Sequence, residues 1–487
     1  MRTHSLIYLL FAIFLSASVS VADSPNSENN MRVEQAIRLM DEWAEATLIL
    51  DRIPGASLGF VSDQKLIWSK GFGHADVEKK TPATPETIYG ICSISKLFTA
   101  IALMQQRDQG KVRLDDPVDQ YLSFAKLEMK DSTSPPVIVE SLLTHSSGLP
   151  RESAHPYWTD PDFIFPTKEE VIAGLRSQKM LYPSDRYFQY SNLGLTFAGE
   201  IVEKVSSKTY EDYVQDHILK PLGLLHTTPY LPEGERGKML AKGYGALKRD
   251  GARGVMPFYE TRGIAPAAGF ASNVKDLAAF ASWQFRLLGD AGSTTEVLKA
   301  STLREMQRVH WVDPNWETTW GLGFRVARKD NQTWVGHNGA CPGYFTALLM
   351  NPEKKLAAIV MMNAMNVNPS KIAEQMMKIL TPAMGEKEEK KEAVAPAPSD
   401  FERFAGLYWS EWGESIVVPW KNGLAALDLP SGDPMGDLTE LKHVENQIFR
   451  RVRKDSKDLG EEVLFETGPD GKVTRLLWHQ NYSRKVR

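Results

Sequence analysis

Ser93 and Lys96 stand three residues apart in Ser93-Ile94-Ser95-Lys96, at the head of an apolar stretch. Residues three apart share one face of a helix, so the hydroxyl and the amine would meet. A serine hydroxyl is a weak nucleophile until a base takes its proton. Lys96 suits that work once burial or a neighbouring cation lowers its pKa. A helix start adds free N–H groups and partial positive charge, which would stabilise an oxyanion formed near Ser93. S-x-x-K alone is weak: it occurs at Ser62, Ser93, Ser123 and Ser272, and only Ser93 opens a long amphipathic pattern. The plain alternative makes Ser93 an N-cap and Lys96 a solvated first-turn residue. A second serine competes, because Gly55-Ala56-Ser57-Leu58-Gly59 matches the G-x-S-x-G nucleophile elbow. That elbow needs a strand before it and a helix after it, and a strand-turn-strand pattern follows instead.

The elements that would position these groups are legible. Residues 30–50 carry Ala36, Met40, Trp43, Ala44 and Leu48 at helical spacing. Residues 55–73 alternate like two strands around Ser62-Asp63-Gln64. Residues 94–109 predict a helix with an apolar face of Leu97, Phe98, Ile101, Ala102 and Met104, stopped by Gly110. Residues 333–363 return to strand, and residues 369–380 to helix. A charged run passes into Ala-Val-Ala-Pro-Ala-Pro-Ser over residues 385–399, which is linker composition. Beyond it, residues 400–487 alternate in short segments between turns such as Asn422-Gly423, and predict a small all-β barrel. The first domain is thus expected over residues 30–384, and deletion of residues 386–487 is expected to leave it soluble.

Two further motifs complete the pattern. Tyr190-Ser191-Asn192 is the single Y-x-N of the chain, and His337-Asn338-Gly339 lies in a predicted strand ahead of Ala340-Cys341-Pro342-Gly343. Ser93-x-x-Lys96, Tyr190-x-Asn192 and His337-x-Gly339, in that order, resemble the three motifs of the serine β-lactamases and penicillin-binding proteins. The class C β-lactamase-related branch is the nearest in pattern. The flanks Leu142-Leu143-Thr144-His145-Ser146-Ser147-Gly148-Leu149-Pro150 and Pro266-Ala267-Ala268-Gly269-Phe270 agree. The resemblance covers roughly residues 35–380. It implies an α+β fold, an antiparallel sheet flanked by helices, with Ser93 as nucleophile and Lys96 as its proton-handling partner. It implies Tyr190 as general base for acylation, acidified by Lys96, and Asn192 as the amide that holds Lys96 and the substrate. It implies an oxyanion hole from the backbone N–H groups of Ser93 and Ala340, with His337 and Gly339 on the substrate-binding strand. In β-lactamases proper the third motif normally begins with lysine, so His337 turns the expectation towards esterases and D-amino-acid-directed peptidases. Its charge is expected to switch near pH 6.5. A true β-lactamase and a catalytically silent cell-wall-binding protein are the alternatives.

The resemblance also brings Cys92 and Cys341 to one site, where two buried thiols are favoured over a disulfide. The aromatic loop from Tyr157 to Phe165 and the set Trp311, Trp316 and Trp320 are read as packing first and as pocket wall second. The last module resembles the lipocalin-like domain appended to some members of this group. It could cap the cleft, mediate oligomers or bind a ligand.

Composition bounds the rest. A chain of 487 residues, 42% hydrophobic and 24% charged, fits two or three globular domains. The net charge of -4, without a basic stripe, gives no reason to expect a nucleic-acid partner, and none is expected. No metal motif or cofactor fingerprint is present, so neither is expected. The substrate class is a small molecule or short peptide, cell-wall fragments included. Arg2 and His4, an apolar run over residues 6–15 and the small residues Ser20-Val21-Ala22 predict a signal peptide, residues 1–22, cleaved near Ala22. The mature protein is therefore expected in the periplasm or outside the cell.

Overall fold

The computed structural model describes residues 25–125, 133–159, 161–289, 295–384, 399–455 and 457–487. The expected signal peptide and nearly all of the expected linker lie outside the described residues. Nine antiparallel strands form one sheet. In chain order they are β1 (Gly55–Ser62), β2 (Lys65–Asp76), β3 (Thr81–Pro82), β4 (Trp311–Val312), β5 (Thr319–Trp320), β6 (Arg325–Lys329), β7 (Gln332–Cys341), β8 (Tyr344–Asn351) and β9 (Leu356–Met362). Their spatial order is β3-β2-β1-β9-β8-β7-β6-β5-β4. The chain ends of the sheet thus meet in its middle, where β1 pairs with β9 from Ala56↔Met362 to Ser62↔Leu356. Seven residues of β1 and all of β9 are buried because both faces of the sheet are covered.

Helices α1 (Pro25–Leu50) and α5 (Pro369–Leu380) cover the outer face. Helix α5 starts cleanly, with the Asn368 side chain accepting from the Lys371 N–H and proline at its first turn. On the inner face lie α2 (Ser95–Asp108), α3 (Asn192–Ser206) and α4 (Val274–Gly289). Every residue of α2 from Ser95 to Gln106 is buried, so this helix runs through the core rather than over it. Phe98 stacks between Phe270 and Phe280, at centroid distances of 4.9 and 4.6 Å. Gly199 of α3 lets Pro266 pass, since a Cβ there would stand 2.4 Å from the proline ring. The decoy serine, Ser57, is an interior strand residue. Its hydroxyl donates to the Thr84 carbonyl at 2.7 Å and lies 2.9 Å from the Tyr89 hydroxyl.

The last eight strands close into a barrel, sealed by pairing of its first and last strands at Tyr408↔Lys485. Its interior is packed with Phe404, Tyr408, Phe449 and Phe465. Along the strand Gly413–Trp420 the period of two splits the residues between two cores. Val417 points into the barrel, while Ile416 and Val418 join Met40 and Trp43 of α1 and Ile372 and Met376 of α5. The Trp43 indole donates to the Ser431 carbonyl at 2.9 Å, and Arg38 pairs with Glu402 at 2.7 Å. The barrel and the first domain therefore share a hydrophobic core, which the linker composition concealed. Removal of residues 386–487 would leave the outer faces of α1 and α5 bare, a large apolar patch. The truncated chain is expected to aggregate, in contrast to the expectation from the linker. Size-exclusion chromatography checks this, and a monodisperse truncated monomer would refute it.

Candidate active site

Ser93 sits in a tight 3₁₀ turn, Cys92–Ile94, that runs straight into α2. Cys92 enters the turn with a left-handed backbone, φ +52°. The turn is held from several sides. Ile91 N–H donates to the Phe270 carbonyl at 2.8 Å, and Phe270 N–H donates to Ser95 Oγ at 2.9 Å. Ser95 Oγ in turn donates to the Cys92 carbonyl. Lys96, one turn on, is fully buried. Its Nζ lies 3.2 Å from Ser93 Oγ, 2.7 Å from Asn192 Oδ1 and 2.7 Å from the Ala267 carbonyl. Burial drives the Lys96 pKa well below its usual range, against the pull of Glu152 and with the help of Arg151.

Asn192 is the first residue of α3. Ser191 caps that helix, its hydroxyl accepting from Gly194 N–H at 2.9 Å. The cap fixes where Asn192 points: Oδ1 to Lys96, and Nδ2 to both oxygens of Glu152 at 2.8 and 3.0 Å. Tyr190 lies on the other side of the cap, half-buried, with the Lys96 ammonium position 4.8 Å and the Arg151 guanidinium 4.7 Å from its ring centre. Burial pushes its phenol above the usual range, while the Ser93 hydroxyl and Arg151 pull it down. The expected acidification of Tyr190 is therefore not the resting state. Burial, with Glu152, outweighs the Ser93 hydroxyl and Arg151, and the phenol holds its proton.

Strand β7 carries His337, Gly339 and Ala340 past the nucleophile turn. Gly339 makes the approach possible, because a Cβ there would lie 2.2 Å from the Ile91 carbonyl and 2.4 Å from Thr346 Oγ1. Cys92 and Cys341 are joined in a disulfide across this seam, with Cα atoms 5.7 Å apart. The two thiols expected from the sequence are thus one bridge. The strand pairing and the turn bring the two Cα atoms within bridging range, which spacing in sequence does not show. The bridge adjoins Ser93 on one side and Ala340 on the other. A Cys92→Ser/Cys341→Ser double variant is expected to lose about 2–4 kcal/mol of stability. Its turnover is expected to fall about tenfold, because both backbone donors beside the bridge gain freedom. Denaturant unfolding and steady-state kinetics check both; unchanged turnover would detach the bridge from the site.

His337 is 4% exposed. Its Nδ1 lies 2.5 Å from the Asn338 carbonyl, and its Nε2 has no hydrogen-bond partner among the described residues. Burial first and Lys96 second push its pKa down to about 3. The switch expected near pH 6.5 therefore moves far into acid, and the imidazole is neutral at physiological pH. Trp320 stands edge-on to both His337 and Tyr190, with centroids 5.6 and 6.3 Å away. It walls the site, whereas Trp316 is 81% exposed. Tyr157, Trp158 and Phe165 form a packed cluster with Tyr259, and the Tyr157 hydroxyl donates to Glu152.

Three residues here had no role in the sequence reading: His145, Arg151 and Glu152. His145 ends the short helix Val139–Thr144 in a left-handed conformation. Its Nδ1 accepts from Ser191 N–H at 3.1 Å, and its ring lies 4.3 Å from that of Tyr190. Burial, Lys96 and His337 hold its pKa well below the usual range. The signal available was the stretch from Leu142 to Glu152, which the fold wraps around Ser191 and Asn192. No cluster of three potential metal ligands occurs among the described residues.

The same architecture is found in known proteins. The Beta-lactamase family model matches residues 40–379, and a domain of unknown function (DUF3471) matches residues 390–486. Beta-lactamase-like protein 2 of Dictyostelium discoideum is 26% identical over 358 residues, 72% of this chain and 64% of that protein. Protein flp of Staphylococcus aureus (strain MW2) is 25% identical over 341 residues, 69% of this chain and 65% of that protein. The chain thus spans just under two thirds of the length of these curated relatives. Among solved structures, the octameric penicillin-binding protein homologue from Pyrococcus abyssi is 28% identical with a TM-score of 0.62, covering 92% of this chain and 100% of that one. A D-stereospecific amidohydrolase from Streptomyces sp. is 23% identical with a TM-score of 0.57, over 69% of this chain and 97% of that one. The β-lactamase/D-alanine carboxypeptidase from Yersinia pestis is 22% identical with a TM-score of 0.60, over 72% and 99%. The last two show likeness of fold. With a family match running from α1 to the end of α5, around the half-buried Ser93 and the buried Lys96, the chain belongs to the β-lactamase family.

Proposed function

We propose that this protein is an exported hydrolase that cleaves an ester or amide through an acyl-enzyme on Ser93. The observation that carries the reading is the hydrogen-bond count at Lys96. A neutral amine has two N–H bonds and one lone pair. Asn192 Oδ1 and the Ala267 carbonyl, each at 2.7 Å, take the two N–H bonds. The lone pair is left for the Ser93 hydroxyl at 3.2 Å. Lys96 is thus arranged to receive the serine proton as Ser93 Oγ bonds to the substrate carbonyl carbon. The oxyanion falls to the N–H groups of Ser93 and Ala340. Tyr190, protonated at rest, gives its proton to the leaving group, and the phenolate forms beside the Lys96 and Arg151 cations. Water then gives a proton to the phenolate and attacks the acyl carbon. Ser93 Oγ leaves with the proton held on Lys96, and both groups return to their starting states.

The uncharged His337 offers no salt bridge to a substrate carboxylate, which sets penicillins behind simple esters and amides. A binder without catalysis has no use for a buried, proton-accepting Lys96.

Tyr190→Phe tests the acid. General acids supply about 10²–10⁴ in rate. Amide cleavage is expected to fall by that range, whereas the acylation burst with a p-nitrophenyl ester, whose leaving group needs no proton, falls less. Equal losses would remove Tyr190 from leaving-group protonation. The overall reading is tested by mass spectrometry of the protein incubated with a fluorophosphonate and, separately, with a penicillin. A stable adduct on Ser93 with the fluorophosphonate is expected. No adduct with either reagent on folded protein would overturn the reading.

A further inference from the structure

Behind β7, on the face of the sheet turned away from the nucleophile, lies an open cleft of about 590 Å³. The strand register decides what lines it. Ala327 pairs with Trp334, Gly336 with Leu349 and Asn338 with Ala347, so these side chains share the outer face. His337 points the other way, towards Tyr190 and Trp320. Helix α5 packs over β8 and β9, and the cleft lies beside it on the outer face of β6 and β7. Trp334, Leu349 and Met377 make the floor and inner wall apolar.

The rim is charged, with an excess of cations. Arg325, Lys329, Lys354 and Lys378 line the cleft against two acids, Asp330 and Glu374. Lys329 is paired with Glu374 at 3.4 Å, and Lys378 with Asp433 at 3.3 Å. Arg325 and Lys354 have no ion-pair partner among the described residues, and both are exposed. An aromatic floor beneath two spare cations, in a volume within the range of small-molecule sites, is complementary to one kind of ligand. We propose that this cleft, which shares the β7 segment at His337 with the catalytic site but opens on the other face of the sheet, is a second binding site for a small anionic amphiphile: a flat apolar body bearing one carboxylate or sulfonate. The apolar body lies on Trp334 and Leu349, and the anion meets Arg325, which the register sets in one row with Gly336 and Leu349, while Lys354 adds positive charge at the other end of the cleft.

The test uses the full chain and two fluorescent probes of matched shape. 8-Anilinonaphthalene-1-sulfonate carries the anion, and N-phenyl-1-naphthylamine lacks it. The sulfonate is expected to bind at one site per chain, at least about tenfold more tightly than the neutral probe, as a charge-assisted contact provides. Arg325→Gln/Lys354→Gln should weaken it by about tenfold or more and leave the neutral probe unchanged. Both residues are exposed, so the variant keeps its fold, which circular dichroism checks. Ser370→Trp, which fills the cleft from the wall of α5, should block both probes, and Ser93→Ala should change neither. Undiminished sulfonate binding in the double charge variant would overturn the proposal. So would equal affinity for the two probes. Binding that disappears as the chain self-associates would assign the face to a second copy and overturn it equally.

Discussion

Ser93→Ala is expected to lower kcat/KM by at least about 10⁴-fold, or about 5.5 kcal/mol of transition-state stabilisation, while the melting temperature stays within a degree or two. The two halves of this expectation have separate causes. Among the described residues Ser93 supplies the hydroxyl hydrogen-bonded to Lys96, the other two contacts being amide and carbonyl oxygens that cannot act as nucleophiles. The turn that holds it does not depend on that hydroxyl. It hangs on Ile91 N–H to the Phe270 carbonyl, on Ser95 Oγ and on the Cys92–Cys341 bridge. The fluorophosphonate adduct should vanish with the activity. Residual activity above about 1% of wild type would move the nucleophile elsewhere.

Lys96→Met is the second large effect, expected at about 10³-fold or more in kcat with KM little changed. The pH behaviour identifies its cause. In the proposed mechanism Lys96 acts as a neutral amine, and burial lowers its pKa in the folded protein. Wild-type kcat should therefore rise with pH as the ammonium loses its proton and then level off. That acidic limb should be missing from the residual rate of the variant. Stability carries the same signature. Between the lowered folded value and about 10.4, the unfolded chain binds a proton at Lys96 that the folded one does not. Stability of the wild type relative to Lys96→Met should thus increase with pH across that window, by up to about 1.4 kcal/mol per pH unit. A variant with the same limb and the same stability slope would show that Lys96 stays charged and merely binds.

The elements nearest the chemistry were legible in the residues because they obey local rules. The apolar run from Leu97 to Met104 and the stop at Gly110 mark α2, and period-two alternation marks β1 and β2. The family motifs placed Ser93, Lys96, Tyr190, Asn192, His337 and Gly339 on one list, and the structure brings these six together. What each residue does there depends on burial, which no spacing states. Lys96 reads as an ordinary surface lysine until the core closes over it, and the same closure raises Tyr190 and silences His337.

Non-local contacts were the other blind spot. His145 and Glu152 reach Tyr190 and Asn192 across some forty residues, and Cys92 meets Cys341 across 249. The alternation in Gly413–Trp420 predicted a strand, but only packing shows that Ile416 and Val418 face α1 and α5. By itself the sequence determined the helix and strands nearest the nucleophile and the reactive side chains of the three motifs, since these follow from periodicity and from side-chain chemistry. The tertiary structure alone decided which protons are held, which cysteines are joined and which apolar faces are shared, because those properties belong to the surroundings that distant segments build around each residue.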